Sequence, residues 1–290
     1  MTQKITRRTT LGLIGAVAGF AAAGPLGAAA RQATQTLDLE DKQQLGLAFR
    51  KLAYSLDDSL TFWWLRGTRY GMVDAVATPF WDMYVGTWFK TRDLDDGSYE
   101  ITMANVNFYT PPNSTELLEV FQNPYTGENV PVQYTMPKKP WRTVIDPNGG
   151  SAFGGSEIPG MTKTEGHSQG PAIIEGDEVF IRGDMFMYAE PLDAASGPKP
   201  LRVNDWSTYV GKLADIASPD VRNAPASQYF TDILTWPKWL QMGDQPGNYV
   251  SRCAGRKVFA YGQMPQTWRR LLESSMSEVA KDPAGFLKEE

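Results

Sequence analysis

The sequence predicts a mainly β fold (α+β), an antiparallel barrel-like or sandwich domain with an N-terminal and a C-terminal helix. Two observations carry that expectation. Short aromatic or β-branched runs alternate at period two from Thr61 onward, separated by Gly-, Asp- and Asn-containing turns. No strand–helix–strand repeat accompanies them, so the parallel α/β classes are disfavoured.

The first helix is expected over Asp38 to Leu56, where Leu45, Ala48, Phe49, Leu52, Ala53 and Leu56 share one helical face. Trp81 to Lys90 then turns at Asp95, Asp96 and Gly97 into Tyr99 to Tyr109, an antiparallel hairpin. A second hairpin joins Leu117 to Phe121 with Val130 to Met136. Asp146 to Gly170 follows neither period and reads as a long glycine-rich loop, a candidate lid over the barrel mouth. Ala172 to Ile174 turns at Glu175, Gly176 and Asp177 into Val179 to Tyr188. Leu201 to Val210, Tyr229 to Trp236, Tyr249 to Cys253 and Lys257 to Tyr261 complete the strands. A final helix starts at Pro265, with Trp268, Leu271, Leu272, Met276 and Val279 on one side, and breaks near Pro283.

Composition narrows the chemistry. The 290 residues are 42% apolar, which supports a substantial core, and carry a net charge of −5 with no polybasic run. Nucleic acid is not an expected partner, because phosphate neutralisation needs clustered Lys and Arg. One cysteine, Cys253, forms no intrachain disulfide, and with one histidine, His167, the chain cannot build a multi-His or multi-Cys metal site. No cofactor or metal is expected.

Residues 1–30 have the layout of a twin-arginine-type signal peptide, followed by a linker over 31–37 and a single β-rich domain over 38–290. Lys4, Arg7 and Arg8 precede the apolar, glycine-rich stretch Leu11 to Ala30, and Ala28, Ala29 and Ala30 offer a small-residue cleavage site. Thr10 and Gly12 depart from the usual twin-arginine pattern, which favours Phe and Lys there. The expected partner is thus the twin-arginine export machinery and the expected location periplasmic, with no stable membrane insertion after cleavage.

Gly166-His167-Ser168-Gln169-Gly170 spells the G-x-S-x-G pattern of a hydrolase nucleophile elbow. It lacks the apolar strand before it, the helix after it and a downstream histidine, so it reads as loop. Gly155 and Gly160 have phosphate-loop spacing, but Met161 occupies the lysine position.

Nine tryptophans are more informative. Most suit a core, while Trp236 and Trp239, with Met242, stand in a Pro-interrupted segment that suits an apolar ligand wall. Together with Trp206 and Arg69, these are the candidate substrate-binding residues. Asp205, Arg182, Tyr209 and His167 are the candidate catalytic residues: polar groups turned into a barrel must be paired or used, and His167, whose unperturbed pKa lies near neutrality, is by its loop position either a lid acid/base or an incidental surface residue. If they point outward they are surface groups.

The twin-arginine start, the Asn123-Pro124-Tyr125-Thr126-Gly127-Glu128 turn, Asn204-Asp205-Trp206, and Trp236-Pro237-Lys238-Trp239-Leu240-Gln241-Met242-Gly243 with Pro246-Gly247 together resemble a bacterial family catalogued as domain of unknown function 1838. The resemblance covers most of the mature chain and implies no particular activity or catalytic residue.

The function expected is binding of an apolar or aromatic small molecule in a β-barrel pocket, with metal-independent lyase or isomerase chemistry. The alternatives are a non-catalytic periplasmic carrier and a carbohydrate-active protein using Asp205 and Asp184 as paired carboxylates.

Overall fold

The computed structural model describes residues 37–145, 151–152, 161–193 and 199–288. The expected signal peptide over 1–30 lies outside them, as do most of the expected linker and the Gly155 and Gly160 pair.

Among the described residues, twelve strands and five α-helices follow one another. Helix α1 (Lys42–Ala53) leads into β1 (Thr61–Val73), β2 (Val76–Asp93) and β3 (Tyr99–Thr110). The small hairpin β4 (Val120–Gln122) and β5 (Asn129–Pro131) forms a separate two-stranded sheet. Then come β6 (Trp141–Ile145), β7 (Ser151–Ala152), β8 (Met161–Glu175), β9 (Glu178–Pro191), β10 (Leu201–Lys212), α2 (Leu213–Ala217), β11 (Ser227–Leu234) and β12 (Asn248–Val258). Helices α3 (Gln266–Ser275), α4 (Ser277–Lys281) and α5 (Pro283–Phe286) close the chain.

Ten strands form one antiparallel sheet in the order β7-β6-β3-β2-β1-β12-β11-β10-β9-β8, curled into a half-barrel. Two meanders build it, and the pairing of β1 with β12 sews them together at the centre. Two glycines make that seam possible. A Cβ on Gly67 would overlap the carbonyl oxygen of Arg252, and one on Gly255 would overlap that of Trp64. The two backbones therefore approach more closely than side-chain-bearing residues allow.

Three apolar clusters surround the sheet. α1 is N-capped by Asp41, whose carboxylate accepts from the Gln44 amide at 2.9 Å. Its Phe49, Leu52 and Ala53 pack with Trp63, Phe89, Ile101 and Ile181 at one end of the half-barrel. The α3–α5 helices cover the outer face of β1–β3, where Trp268, Leu271, Leu272 and Phe286 meet Phe62, Trp88 and Phe108. At the other end, Phe80, Trp81, Tyr109, Phe121, Val130, Leu240 and Met242 pack together.

Some local expectations are corrected. Residues 161–170, expected as loop, belong to β8, which pairs with β9 from Met161 onward. The G-x-S-x-G stretch therefore lies on a strand, with no helix after it. Tyr249 to Cys253 and Lys257 to Tyr261 are not two strands: β12 runs unbroken from Asn248 to Val258, and only Phe259 to Tyr261 falls beyond it.

Candidate functional site

The antiparallel register places one residue from each of seven neighbouring strands in a row across the concave face. Reading from the β8 edge, the row is His167, Met185, Asp205, Asp232, Ser251, Arg69 and Trp81, each directly opposite the next. Direct cross-strand partners share a face, so these side chains belong to one surface. A parallel row two residues along runs through Ser207, Phe230, Cys253, Gly67 and Met83. The next contains Tyr209, Gln228, Gly255, Leu65, Val85 and Asn107.

These rows wall a cavity of about 680 Å³, within the size range of small-molecule sites. Its apolar surface comes from Leu65, Met83, Met103, Met185 and Phe230, and its rim includes Trp141 and Trp239. At the α1 end, the Tyr209 ring makes edge contacts with Phe49 at 5.4 Å and Trp63 at 5.7 Å.

Its electrostatic centre is a buried ion pair. Arg69 Nη1 donates to Asp232 Oδ1 at 2.6 Å, and the same oxygen accepts from the Ser251 amide at 2.7 Å. The Arg69 guanidinium also lies 4.0 Å from the centre of the Tyr249 ring. Both charged residues are almost fully buried, at 4% and 6% exposure.

Asp205 is the next residue in the row, with Asp232 on one side and Met185 on the other. Burial in the cavity wall, reinforced by the negative Asp232 beside it and only partly offset by Arg69, pushes its carboxyl up to about 7. His167 lines the cavity two strands away, and burial pulls its imidazole down to about 4. At neutral pH the wall therefore presents a neutral imidazole and a carboxyl group that is part acid. Tyr209 is held up to about 12, chiefly by burial, so its hydroxyl stays protonated; it receives a hydrogen bond from Gln228 Nε2 at 3.3 Å. Gln228 also donates to Ser207 Oγ at 2.9 Å. On the facing wall Asn105 Nδ2 donates to Thr87 Oγ1 at 2.7 Å.

Of the candidate residues, Asp205, Tyr209, His167, Arg69 and Trp239 line the cavity. The others do not. Arg182 pairs with Asp184 at 2.7 Å and stands opposite Thr208, on the face turned away from Tyr209. Trp206 is 44% exposed and faces away from the cavity, as its neighbour Asp205 requires on a strand of period two. Trp236 stacks near Phe80 and donates to the carbonyls of Gln245 and Pro246, bracing the 236–247 segment. Met242 is buried in the end cluster, against Asn123. Asp184, the second carboxylate of the carbohydrate-active alternative, also lines the cavity; it stands opposite Trp206 and is tied to Arg182 at 2.7 Å.

Asp232, Ser207, Gln228, Asn105 and Asn107 are site residues that the sequence did not single out. For Asp232 a signal existed: it shares a strand face with Gln228, Phe230 and Leu234, an otherwise uncharged set. Among the described residues, no group of three or more His, Cys, Asp or Glu is placed to hold a metal ion.

Residues 58–290 match the family model described as "Protein of unknown function (DUF1838)", and the chain belongs to that family. No curated protein and no solved structure matches the chain.

Proposed function

For this member of the DUF1838 family we propose that the half-barrel cavity binds an apolar or aromatic small molecule and transforms it by metal-independent acid–base chemistry of the lyase or isomerase type. The observation that carries this reading is the adjacency of Asp205 to the Arg69–Asp232 pair. Arg69 is ion-paired with Asp232, so Asp205 is left buried in the cavity wall beside a negative neighbour. A carboxyl group kept partly protonated at neutral pH is suited to donate a proton or hydrogen bond to a developing oxyanion. The chain is also proposed to be exported through the twin-arginine route and to act in the periplasm, on the strength of Arg7, Arg8 and the apolar stretch after them.

Native mass spectrometry of the protein isolated from its own host tests the binding reading. An adduct of small-molecule mass that organic solvent releases is expected. A bare chain that also fails to bind naphthalene or α-tetralone would overturn it.

A further inference from the structure

Three features of the cavity point to the kind of molecule it takes. The Asp205 and His167 side chains stand on one face of the sheet with a single strand between them, so their backbones are about 10 Å apart. The residue between them is Met185, which offers no charge or strong hydrogen-bond donor to compete. The walls beyond include Leu65, Met83 and Phe230, which suit a flat apolar body, with Asn105, Asn107 and Gln228 as uncharged polar groups among them.

We infer that the substrate is a neutral carbonyl compound, its oxygen on the carboxyl group of Asp205 and an enolisable carbon beside His167. This rests on the reading that the cavity binds and transforms an apolar small molecule. The span fits. A hydrogen bond of about 2.7 Å to the oxygen, an oxygen-to-carbon distance of a few ångströms and an approach of about 3 Å to the base together match two strand spacings. An anionic ligand is disfavoured, because the charge of Arg69 is already neutralised by Asp232 at 2.6 Å and Asp205 adds no positive charge.

The step balances within these groups. A ring nitrogen of His167 takes the proton from the carbon next to the carbonyl. The C–H electron pair becomes the carbon–carbon double bond, and the carbonyl π pair moves onto oxygen, which receives the proton of Asp205. The enol, an imidazolium and a carboxylate result. Exchange of the imidazolium N–H with water before its return to the same carbon carries solvent hydrogen into the ketone, and return to the far end of a conjugated system gives the shifted isomer. In either case the enol oxygen gives its proton back to Asp205. No oxidant, reductant or second substrate enters.

The test uses the full chain with α-tetralone, a bicyclic aromatic ketone, in deuterated buffer near pH 5.5, with naphthalene as the carbonyl-free control. Loss of the proton signal next to the carbonyl is followed by NMR, and binding by quenching of tryptophan fluorescence. The wild type is expected to accelerate exchange at least tenfold over buffer. His167→Gln and Asp205→Leu should fall to within twofold of buffer while still binding naphthalene, and Asp205→Asn, which keeps a donor, should retain ketone binding. Binding of both compounds without accelerated exchange in the wild type would overturn the carbonyl assignment and leave the pocket reading standing. Failure to bind either would overturn both. Full exchange in His167→Gln would remove His167 from the step.

Discussion

Asp205 and Asp232 stand directly opposite each other on adjacent strands, and the Arg69 guanidinium is bonded to Asp232 at 2.6 Å. Two carboxyl groups in the same wall thus have different environments. One is half of a buried ion pair; the other is pushed up to about 7 by burial and by its neighbour. That contrast is a recurring way for a protein to assign separate roles to two acids.

The raised Asp205 carboxyl sets a pH dependence of stability. The unfolded chain releases this proton near pH 4, whereas the folded chain holds it until about 7. The stability tied to the protonated group is therefore complete below pH 4 and lost as pH rises through 7. The groups nearest it are Asp232, Arg69 and Tyr209. Asp205→Asn, which carries no such charge, should be more stable than wild type by roughly 1–3 kcal/mol at pH 8, with little difference at pH 4. Urea denaturation at the two pH values measures this, and equal differences at both would contradict it.

The Arg69–Asp232 pair should respond asymmetrically to mutation. Arg69→Met leaves Asp232 buried and unneutralised, which should cost about 3–5 kcal/mol. The double variant Arg69→Met with Asp232→Leu should recover much of that loss, because neither charge is then stranded. A double-mutant cycle by chemical denaturation reads the coupling. Additive losses would show that the two charges do not depend on each other.

Cys253 is 5% exposed, and burial raises its thiol to about 12. The thiolate is the reactive form. A disulfide reagent at pH 8 should leave the native protein unmodified for hours and label one thiol per chain promptly in urea. Rapid labelling of the native state would mean that the β12 seam opens readily.

The Gly67 and Gly255 contacts predict large losses from the smallest side chain. Gly67→Ala and Gly255→Ala each force a methyl group onto a backbone carbonyl of the paired strand. Separation of the β1 and β12 backbones should cost several kcal/mol or prevent folding. Gly262→Ala meets open space and is the matched control, expected to be near neutral. Thermal denaturation of the three variants tests the seam.

Much of the fold was legible because side-chain period and turn chemistry agreed. The spacing of Leu45, Ala48, Phe49 and Leu52 fixes α1, and Asp96 with Gly97 marks the turn between β2 and β3. Other features were hidden for definite reasons. The β1–β2 turn is made by Asp74 and Ala75, both with positive φ, although Ala is not a usual turn signal. β8 is an outermost strand, half exposed along its length, so it never needed an apolar alternation. Gly255 reads as a break in β12, whereas it marks the close approach to β1.

The site was legible only in part, because a single strand does not disclose which residue lies across from it. Asp205 and Tyr209 lie in one segment and His167 and Arg69 in two others, and register alone brings Asp205, His167 and Arg69 into one row and Tyr209 two rows away. Asp232, which reinforces the effect of burial on Asp205, comes from that same pairing. The assignment of Trp206 to the pocket conflicted with that of Asp205 from the outset, since neighbours on a strand face opposite ways. Trp236 and Met242 reveal another limit: a Pro-interrupted aromatic segment packs into an end cluster as readily as it lines a cavity.

The most direct measurement is a carbon NMR titration of the aspartate side-chain carboxyls in the full chain, repeated on Asp205→Asn. The account predicts one resonance with its midpoint near 7 that disappears in the variant. Aspartates that all complete their titration below about pH 5 would show that Asp205 is an ordinary ionised carboxylate, and the acid–base reading of the cavity would fail.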